Sequence, residues 1–280
     1  QVQPVVASAL SGYRVCVFAY GQTGSGKTFT MEGPREDRGV NFRALGELFD
    51  RAASEAGSRT FTFRVSMLEV YNEKVIDLLA EPVSTPRGSG GGGGNGGEGH
   101  EIRLDKRGRV YVEGLVEVEV SRLAQVEELI ALGASNRTVG NNNVNLHSSR
   151  SHLVLQVDID AVDTASGQVH VGKLNLIDLA GSERIKSTAA EGQRLREAQN
   201  INRSLSALGD VIAALGSGNK HVPYRNSKLT FLLQDSLSAN AKVLMFVNIS
   251  PSPYSQNESV CSLNFAKRCR AVQLGQARRI

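Results

Sequence analysis

Eight residues near the start of the chain, GQTGSGKT from Gly21 to Thr28, could hold a polyphosphate. Glycines in such a turn leave backbone N–H groups free to surround phosphate oxygens. Lys27 would place its charge between the β and γ phosphates, and the Thr28 hydroxyl would bind the Mg²⁺ that bridges them. A strand-like run, RVCVFAY, precedes the loop, and KTFTME after it can begin a helix, which favours a nucleotide site over a chance Gly/Ser turn. The predicted phosphate-binding residues are Gly21, Gln22, Thr23, Gly24, Ser25, Gly26, Lys27 and Thr28.

Two later segments carry further groups suited to phosphate chemistry. NLHSSRSH, residues 145–152, supplies hydroxyls and a guanidinium, and DLAGSER, residues 178–184, supplies two carboxylates and a glycine. A site that hydrolyses a nucleotide needs such groups to contact the γ-phosphate, hold the metal and position water. Singly, each has an ordinary interpretation as a turn former, a surface ion pair or a strand-end cap. Their occurrence together favours nucleotide hydrolysis.

The segments between these motifs predict the elements that position them. HLVLQVDIDAVD alternates apolar and polar residues, which is typical of a half-buried strand, and VGKLNLIDLA and AKVLMFVNIS are apolar runs suited to central strands. Apolar residues recur at steps of three and four from Leu195 to Leu215, which predicts a helix facing the core. The sequence therefore predicts an α/β fold, with a mixed sheet flanked by helices.

Composition limits the class of protein. The chain has 280 residues, 40% of them hydrophobic, and a net charge of +4. Its apolar runs are too short to span a bilayer, the start QVQPVV lacks the pattern of a signal peptide, and the three cysteines have no metal-ligand spacing. We expect a cytoplasmic globular protein with no membrane insertion and no zinc site. The glycine-rich segment 84–99 predicts a disordered loop inserted within one domain that spans residues 1–280.

The three phosphate-related motifs, in this order, resemble the P-loop, switch I and switch II of the kinesin motor family. EVYNEKVIDLL, NINRSLSALGDVI, HVPYRNSKLTFLLQDSL and SLNFAKR agree with the same family, so the resemblance covers nearly the whole chain. It implies the P-loop NTPase fold of kinesin motors, with ATP or ADP and Mg²⁺ as ligands and microtubule-stimulated ATP hydrolysis as the activity. By its position after the loop, Phe29 would pack near the base.

The resemblance also implies roles for individual residues. Ser149 and Thr28 would arrange the Mg²⁺ shell, and Asp178 would hold a metal-bound water. Ser148 and the Gly181 amide would approach the γ-phosphate and the attacking water. Arg150 and Glu183 would form an ion pair that closes the two switches and relays a proton. The residues in question are Ser148, Ser149, Arg150, Asp178, Gly181 and Glu183.

Basic residues after switch II resemble the microtubule-binding face of kinesins. The predicted contacts with the acidic tubulin surface are Lys186, Arg203, Arg225 and Lys228. Charge counting alone favours a solvated helix face, and no helix-turn-helix, finger or aromatic stacking pattern indicates nucleic acid. The resemblance further implies a place on microtubules in the cytoplasm, and dimerisation through a coiled coil outside this chain.

The ending FAKRCRAVQLGQARR and the segments NRTVGNNNVN and QNINRSLSALGDVI are similar to the C-terminal-motor, minus-end-directed kinesins, the kinesin-14 group. A complete motor has a first strand with an R-x-R-P-like adenine clamp, and this chain starts at Gln1, after that position. We therefore expect an N-terminally incomplete motor domain. The alternative is a non-motile microtubule-binding module whose nucleotide site is impaired. A P-loop GTPase would need an N-K-x-D-like segment, which the sequence does not show.

Overall fold

The computed structural model describes residues 2–81, 99–106, 108–139, 148–184, 192–238, 240–272 and 277. Within these ranges, nine strands form a seven-stranded sheet and a separate pair, β4 with β5. The strands are β1 (Arg14–Tyr20), β2 (Arg59–Tyr71), β3 (Lys74–Asp77), β4 (Ile102–Leu104), β5 (Val110–Val112), β6 (Val118–Val120), β7 (His152–Asp163), β8 (Val169–Asp178) and β9 (Ala241–Val247).

The direction of the central strands decides where the motifs meet. β1 lies between β8 and β9 and is parallel to both, whereas β7 is antiparallel to β8 and to β2. The carboxyl ends of β1 and β8 therefore share one edge of the sheet with the amino end of β7. In register, Asp178 at the end of β8 lies beside Ala19 of β1 and Leu153 of β7. The phosphate loop, residues 148–151 and residues 179–184 consequently all leave the sheet at this edge.

Helices cover both faces of the sheet. They are α1 (Val2–Ala7), α2 (Lys27–Met31), α3 (Val40–Ser54), α4 (Leu123–Val139), α5 (Gly192–Gly216), α6 (Lys228–Leu232) and α7 (Gln256–Arg270), with short 3₁₀ turns at Ser8–Ser11, Tyr224–Asn226 and Pro253–Ser255. Side chains from α1, α3 and α4 pack on one face, and side chains from α5, α6 and α7 pack on the other.

The strand before the phosphate loop, β1, is covered by helices on both of its faces. Val15 and Val17 face the layer of α1, α3 and α4, whereas Cys16 and Phe18 face the layer of α5, α6 and α7. All four are buried, which explains the continuous apolar run, and each such side chain contributes about 1.5–3 kcal/mol of burial free energy. Tyr20 stacks on Phe265 with ring centroids 4.2 Å apart, which fixes α7 beside the end of β1.

The predicted α/β fold class, with a mixed sheet between helices, is confirmed. The helical pattern from Leu195 to Leu215 lies within α5. One expectation about exposure was wrong: the polar face of the strand HLVLQVDIDAVD includes Gln156, which is only 7% exposed because residues of β5 and Asp235 line a cavity with it over that face of the sheet. The predicted glycine-rich loop lies outside the described residues except at Gly99, and no helix of the described part is long and apolar enough to cross a membrane.

Candidate active site

The phosphate loop is a tight turn between β1 and α2. Gly21 packs against the backbone just after β9. A Cβ on Gly21 would be 2.1 Å from the Asn248 carbonyl oxygen. Gly26, at the start of α2, has φ of 90°, which L side chains rarely adopt. The two glycines are thus required here for different reasons, one for space and one for backbone conformation.

Lys27 turns its ammonium group back onto this loop. Its Nζ donates hydrogen bonds of 2.8 Å to the carbonyl oxygens of Gly21 and Gln22, and the residue is 7% exposed. Burial lowers the Lys27 pKa, and the nearby carboxylates of Asp178 and Glu183 oppose part of that shift. A buried cation at the mouth of a glycine turn is suited to hold phosphate oxygens.

Asp178 and Thr28 form the pair of oxygens expected for a divalent metal. The Thr28 hydroxyl donates to Asp178 Oδ2 at 2.5 Å. The other carboxylate oxygen, Oδ1, is buried and has no hydrogen-bond partner. Burial raises the Asp178 pKa, whereas the Thr28 hydrogen bond and the charges of Lys27 and Arg137 lower it. An unpartnered carboxylate oxygen beside a hydroxyl fits Mg²⁺, because this ion prefers such oxygen ligands.

Residues of the second and third motifs are hydrogen-bonded to each other and to the phosphate loop. The Gly181 amide donates to the Ser149 carbonyl oxygen at 2.9 Å, and the Ser182 amide donates to the Gly21 carbonyl at 3.1 Å. Glu183 accepts from Thr23 twice, from its backbone N–H at 2.8 Å and from its hydroxyl at 2.5 Å. The three motifs therefore form one connected site. The Gly181 amide, expected to approach a γ-phosphate, is engaged by the protein in this arrangement.

The expected ion pair between Arg150 and Glu183 is absent from this structure. Arg150 Nη1 instead donates to Glu197 Oε2 at 2.8 Å, and the other oxygen of Glu197 accepts from the Tyr71 hydroxyl at 2.7 Å. Glu197 is buried in α5 and supplies a carboxylate that lies outside the three sequence motifs. Burial, followed by the hydrogen bond and charge of Glu197, raises the Tyr71 pKa to about 12. Each member of the expected pair thus has a different partner.

A buried cluster below the site was also missed. Arg137, in the last turn of α4, donates to Glu69 Oε1 at 2.7 Å and to the Ser151 hydroxyl at 2.8 Å, and Ser151 also donates to Glu69 at 2.5 Å. The cluster ties the end of α4 and Ser151, next to β7, to β2. Nearby, the half-buried Glu32 has its pKa raised by burial and by Asp178, and lowered by Arg137. Sequence motifs gave no signal for these contacts, since their members are 14 to 82 residues apart.

The remaining predicted site residues have different degrees of exposure. Thr23, Gly24 and Thr28 are exposed, and Phe29 is 62% exposed, so this part of the loop and the side chain expected near the base are open to solvent. Gln22 Nε2 donates to the Ser255 hydroxyl at 3.0 Å, and the Ser25 hydroxyl donates to the Gln22 carbonyl at 2.8 Å. These contacts hold the loop next to α7. Ser148 precedes Ser149 at this same edge of the sheet.

The basic residues predicted to bind tubulin lie around α5 and α6. Arg203 is exposed on α5, and Arg225 lies in the Tyr224–Asn226 turn with its guanidinium 5.3 Å from the Phe231 ring centroid. Lys228 begins α6, and its Nζ lies 3.3 Å from the Glu101 carboxylate. Lys186 lies outside the described residues. Three of the four predicted residues are therefore on the α5 and α6 side of the sheet.

Comparison with known proteins finds similarity to kinesins. The family description "Kinesin motor domain" matches residues 1–272. The chain is 51% identical over 276 residues to "Kinesin-like protein KIN-14E" of Oryza sativa subsp. japonica, which covers 99% of this chain and 24% of that relative. It thus spans about a quarter of the length of this relative.

The fold of this chain is also similar to solved structures of kinesins. One described as "Structure of a fast kinesin: Implications for ATPase mechanism and interactions with microtubules" has a TM-score of 0.85 at 40% identity, over 99% of this chain and 75% of that one. A second, "C-terminal motor and motor homology domain of Kar3Vik1 fused to a synthetic heterodimeric coiled coil", has a TM-score of 0.81 at 40% identity, over 99% of this chain and 67% of that one.

Proposed function

Because the chain belongs to the kinesin motor domain family and is of the kinesin-14 type, we propose that it is an ATP-hydrolysing microtubule motor domain. In this proposal, two switch loops, residues 145–152 and 178–184, couple γ-phosphate contacts to microtubule binding, and motion is directed to the minus end. The observation that carries it is the direct hydrogen bonding among the phosphate loop, Ser149 and residues 181–183.

Nucleotide binding would begin at Lys27. Its ammonium is held by two loop carbonyl groups, and phosphate oxygens, which are stronger acceptors for a cation, would replace them. Thr28, Ser149 and Asp178 would hold Mg²⁺, and the bound ion would neutralise charge on the β and γ phosphates. The unpartnered Oδ1 of Asp178 supports this assignment, because a buried carboxylate oxygen is costly without a donor or cation.

Hydrolysis would follow when the switches exchange partners. Release of the Gly181 amide from the Ser149 carbonyl would free a donor for the γ-phosphate. Release of Glu183 from Thr23 would free a carboxylate that pairs with Arg150 and accepts the proton of the attacking water through a second water. Phosphoryl transfer requires mainly such positioning and charge stabilisation, which these residues supply together with Ser148.

Coupling to the track would run through α5. Glu197 of this helix holds Arg150, so exchange of the Arg150 partner would change a contact between switch I and α5. The same helix carries Arg203 and packs against α6 and the Tyr224–Asn226 turn, which carry Lys228 and Arg225. These cations suit the acidic surface of tubulin. We further propose a cytoskeletal location on microtubules and dimerisation of the whole protein through a coiled coil.

The deciding experiment is steady-state ATP hydrolysis by the 280-residue chain with and without polymerised tubulin. We expect microtubules to stimulate turnover, and a Lys27→Ala control to lose nucleotide binding and turnover while remaining folded. Co-sedimentation without turnover in the wild-type chain would instead support the binding-module alternative. Absence of both ATP binding and co-sedimentation would contradict both functions.

A further inference from the structure

His152, the first residue of β7 and the last residue of NLHSSRSH, has no role in the proposed hydrolysis and yet makes two well-formed contacts. It is 2% exposed. Its Nδ1 accepts a hydrogen bond from the Ala180 backbone N–H at 3.1 Å, and its Nε2 lies 2.7 Å from the Ser204 hydroxyl. The Ser204 hydroxyl in turn donates to the Ile201 carbonyl oxygen at 2.7 Å. One side chain therefore bridges the switch II backbone and α5.

The chemistry of these partners fixes the direction of each hydrogen bond. A backbone N–H can only donate, so Nδ1 must be unprotonated, and the proton of the neutral ring is on Nε2. Nε2–H then donates to Ser204 Oγ, whose own proton is used at Ile201. The chain of bonds runs from the Ala180 amide through the imidazole to a carbonyl group of α5 without an unmatched donor.

The imidazole is suited to stay neutral and rigid. Burial, together with the positive charges of Lys27 and Arg137, lowers the His152 pKa to about 3, and Glu69 opposes part of this shift. A protonated ring would lose the bond from Ala180, because both nitrogens would then be donors. Both of the His152 hydrogen bonds lie in the buried interior, where replacement by water is difficult.

The two residues that His152 contacts, Ala180 and Ser204, lie in segments with different expected functions. Ala180 lies between Asp178, the predicted metal residue, and Gly181, whose amide bonds to Ser149. Ser204 lies on α5 next to Arg203, a predicted microtubule residue. Movement of the backbone at Ala180 would therefore strain or break a specific bond to the helix that carries the track-binding cation.

We propose that His152 is a positioning residue that couples the switch II backbone at Ala180 to α5 at Ser204. This inference rests on the proposed motor function, and it adds a second connection to α5 besides that of Arg150 with Glu197. It predicts that loss of the Ser204 bond weakens the response of turnover to microtubules and leaves the nucleotide contacts in place.

The test uses two serine variants of the same helix. Ser204→Ala removes the acceptor of the Nε2–H bond, and Ser206→Ala, an exposed position two residues further, is the matched control. Basal ATP turnover of both should stay within about twofold of wild type. The microtubule-stimulated kcat should fall about three- to tenfold in Ser204→Ala alone, the size expected for one buried hydrogen bond.

A double-mutant cycle separates coupling from general destabilisation. His152→Asn keeps an oxygen that can accept from the Ala180 N–H, and its shorter side chain does not reach Ser204. Because His152→Asn and Ser204→Ala remove the same bond, the double variant should lose no more stimulation than Ser204→Ala. Additive losses, or equal stimulation of Ser204→Ala and Ser206→Ala, would overturn the coupling.

A spectroscopic readout distinguishes this inference from the proposed function. In nitrogen-labelled histidine spectra, with His152 assigned through His152→Asn, we expect the Nε2–H tautomer and a shift of its Nε2 resonance on addition of Mg²⁺ and a non-hydrolysable ATP analogue. An Nδ1–H tautomer or an unchanged resonance would overturn the inference even if turnover is stimulated. Turnover that microtubules do not stimulate would contradict the proposed function. The spectrum would still test whether the His152 contacts form and respond to the nucleotide analogue.

Discussion

Glu183 and Arg150 each hold a partner that must be released before they can meet. Glu183 accepts two hydrogen bonds from Thr23 in the phosphate loop, and Arg150 donates to Glu197 in α5. Both are charge-assisted bonds, which are stronger than neutral ones. At the scale of residues, the proposed mechanism therefore requires an exchange of partners, so substitutions that favour one partner over another should alter turnover without removing nucleotide binding.

Replacement of Glu183 by glutamine tests its assigned role. In Glu183→Gln the amide oxygen can still accept from the Thr23 N–H, so we expect nucleotide affinity close to wild type. The residue can no longer pair with Arg150 or accept a proton, and microtubule-stimulated turnover should fall about 100-fold or more. Binding of a fluorescent ATP analogue and steady-state turnover measure the two effects. The exposed Glu128→Gln on α4 is the control, and undiminished turnover in Glu183→Gln would remove Glu183 from the hydrolysis step.

The buried His152 predicts a specific dependence of stability on pH. Its pKa is about 3 in the folded protein against 6.5 for an ordinary histidine, so the unfolded chain binds one more proton between these values. The free energy of unfolding contributed by this residue is complete above pH 6.5 and is lost as pH falls toward 3, by about 1.4 kcal/mol per pH unit. Urea unfolding of wild type and His152→Asn across this range should show the shallower slope in the variant. Parallel slopes would contradict a buried neutral imidazole.

Local spacing predicted the turn between β1 and α2, because its glycines, Lys27 and Thr28 lie within eight residues of sequence, and the phosphate-binding role of this turn stays a prediction. It could not predict that Arg137 bonds to Glu69 or that Arg150 bonds to Glu197, because these contacts arise only when distant elements pack. The pair implied by the resemblance, Arg150 with Glu183, is not formed in this structure, where Arg150 pairs with Glu197 and Glu183 with Thr23. Partner choice among buried charges depends on tertiary placement, which motif order does not contain.

Among the elements, the turn between β2 and β3 holds the amino-terminal part of α5 and the start of α6. Tyr71 donates to Glu197, and Asn200 donates to Asn72 at 3.2 Å. Glu73 accepts from the Lys228 backbone N–H at 3.0 Å. Asn72 and Glu73 both have positive φ, as residues of a tight hairpin turn do. The turn thus sets the position of two helices that carry predicted track contacts.

Release of Arg150 from α5 should raise basal turnover. Glu197→Gln keeps an acceptor for Tyr71 and removes the charge that holds Arg150, which weakens this contact by about 1 kcal/mol. Arg150 would then pair with Glu183 more often, and turnover without microtubules should rise about fivefold. The double variant Glu197→Gln with Glu183→Gln should show no rise, because the alternative partner is gone. An unchanged basal rate in Glu197→Gln would show that this contact does not restrain switch I.

Periodicity predicted the type of most of the elements it addressed and misjudged the environment of one. The apolar stripe from Leu195 to Leu215 lies in α5, and the alternating run after residue 151 is β7. The polar positions of β7 suggested one exposed face. In the structure Gln156 donates to Asp158 at 2.7 Å and is buried, because residues of β5 and Asp235 line a cavity with it over that face of the sheet. The elements that cover each face of the sheet, which alternation does not encode, decide such burial.

For the molecule as a whole, the sheet separates two surfaces of different expected function. Helices α3 and α4 cover one face, and α5, α6 and α7 cover the other. The proposed nucleotide site lies at the sheet edge between them, where β1, β7 and β8 meet. The proposed track-binding surface on the α5 and α6 side is therefore connected to the proposed site by side chains such as Arg150 and His152, and exposed charge on the α3 and α4 side should have little effect on track binding.

Charge removal on the two surfaces tests this division. We expect the triple variant Arg203→Ala, Arg225→Ala and Lys228→Ala to weaken microtubule affinity about tenfold with basal turnover nearly unchanged, because each cation contributes a modest surface interaction with acidic tubulin. A charge-matched control replaces Arg35, Arg43 and Arg122, which are exposed before or within α3 and before α4. Co-sedimentation over a range of salt should show a weaker salt dependence for the first variant than for the control. Equal losses in both would mean that net charge, rather than the α5 and α6 surface, governs binding to microtubules.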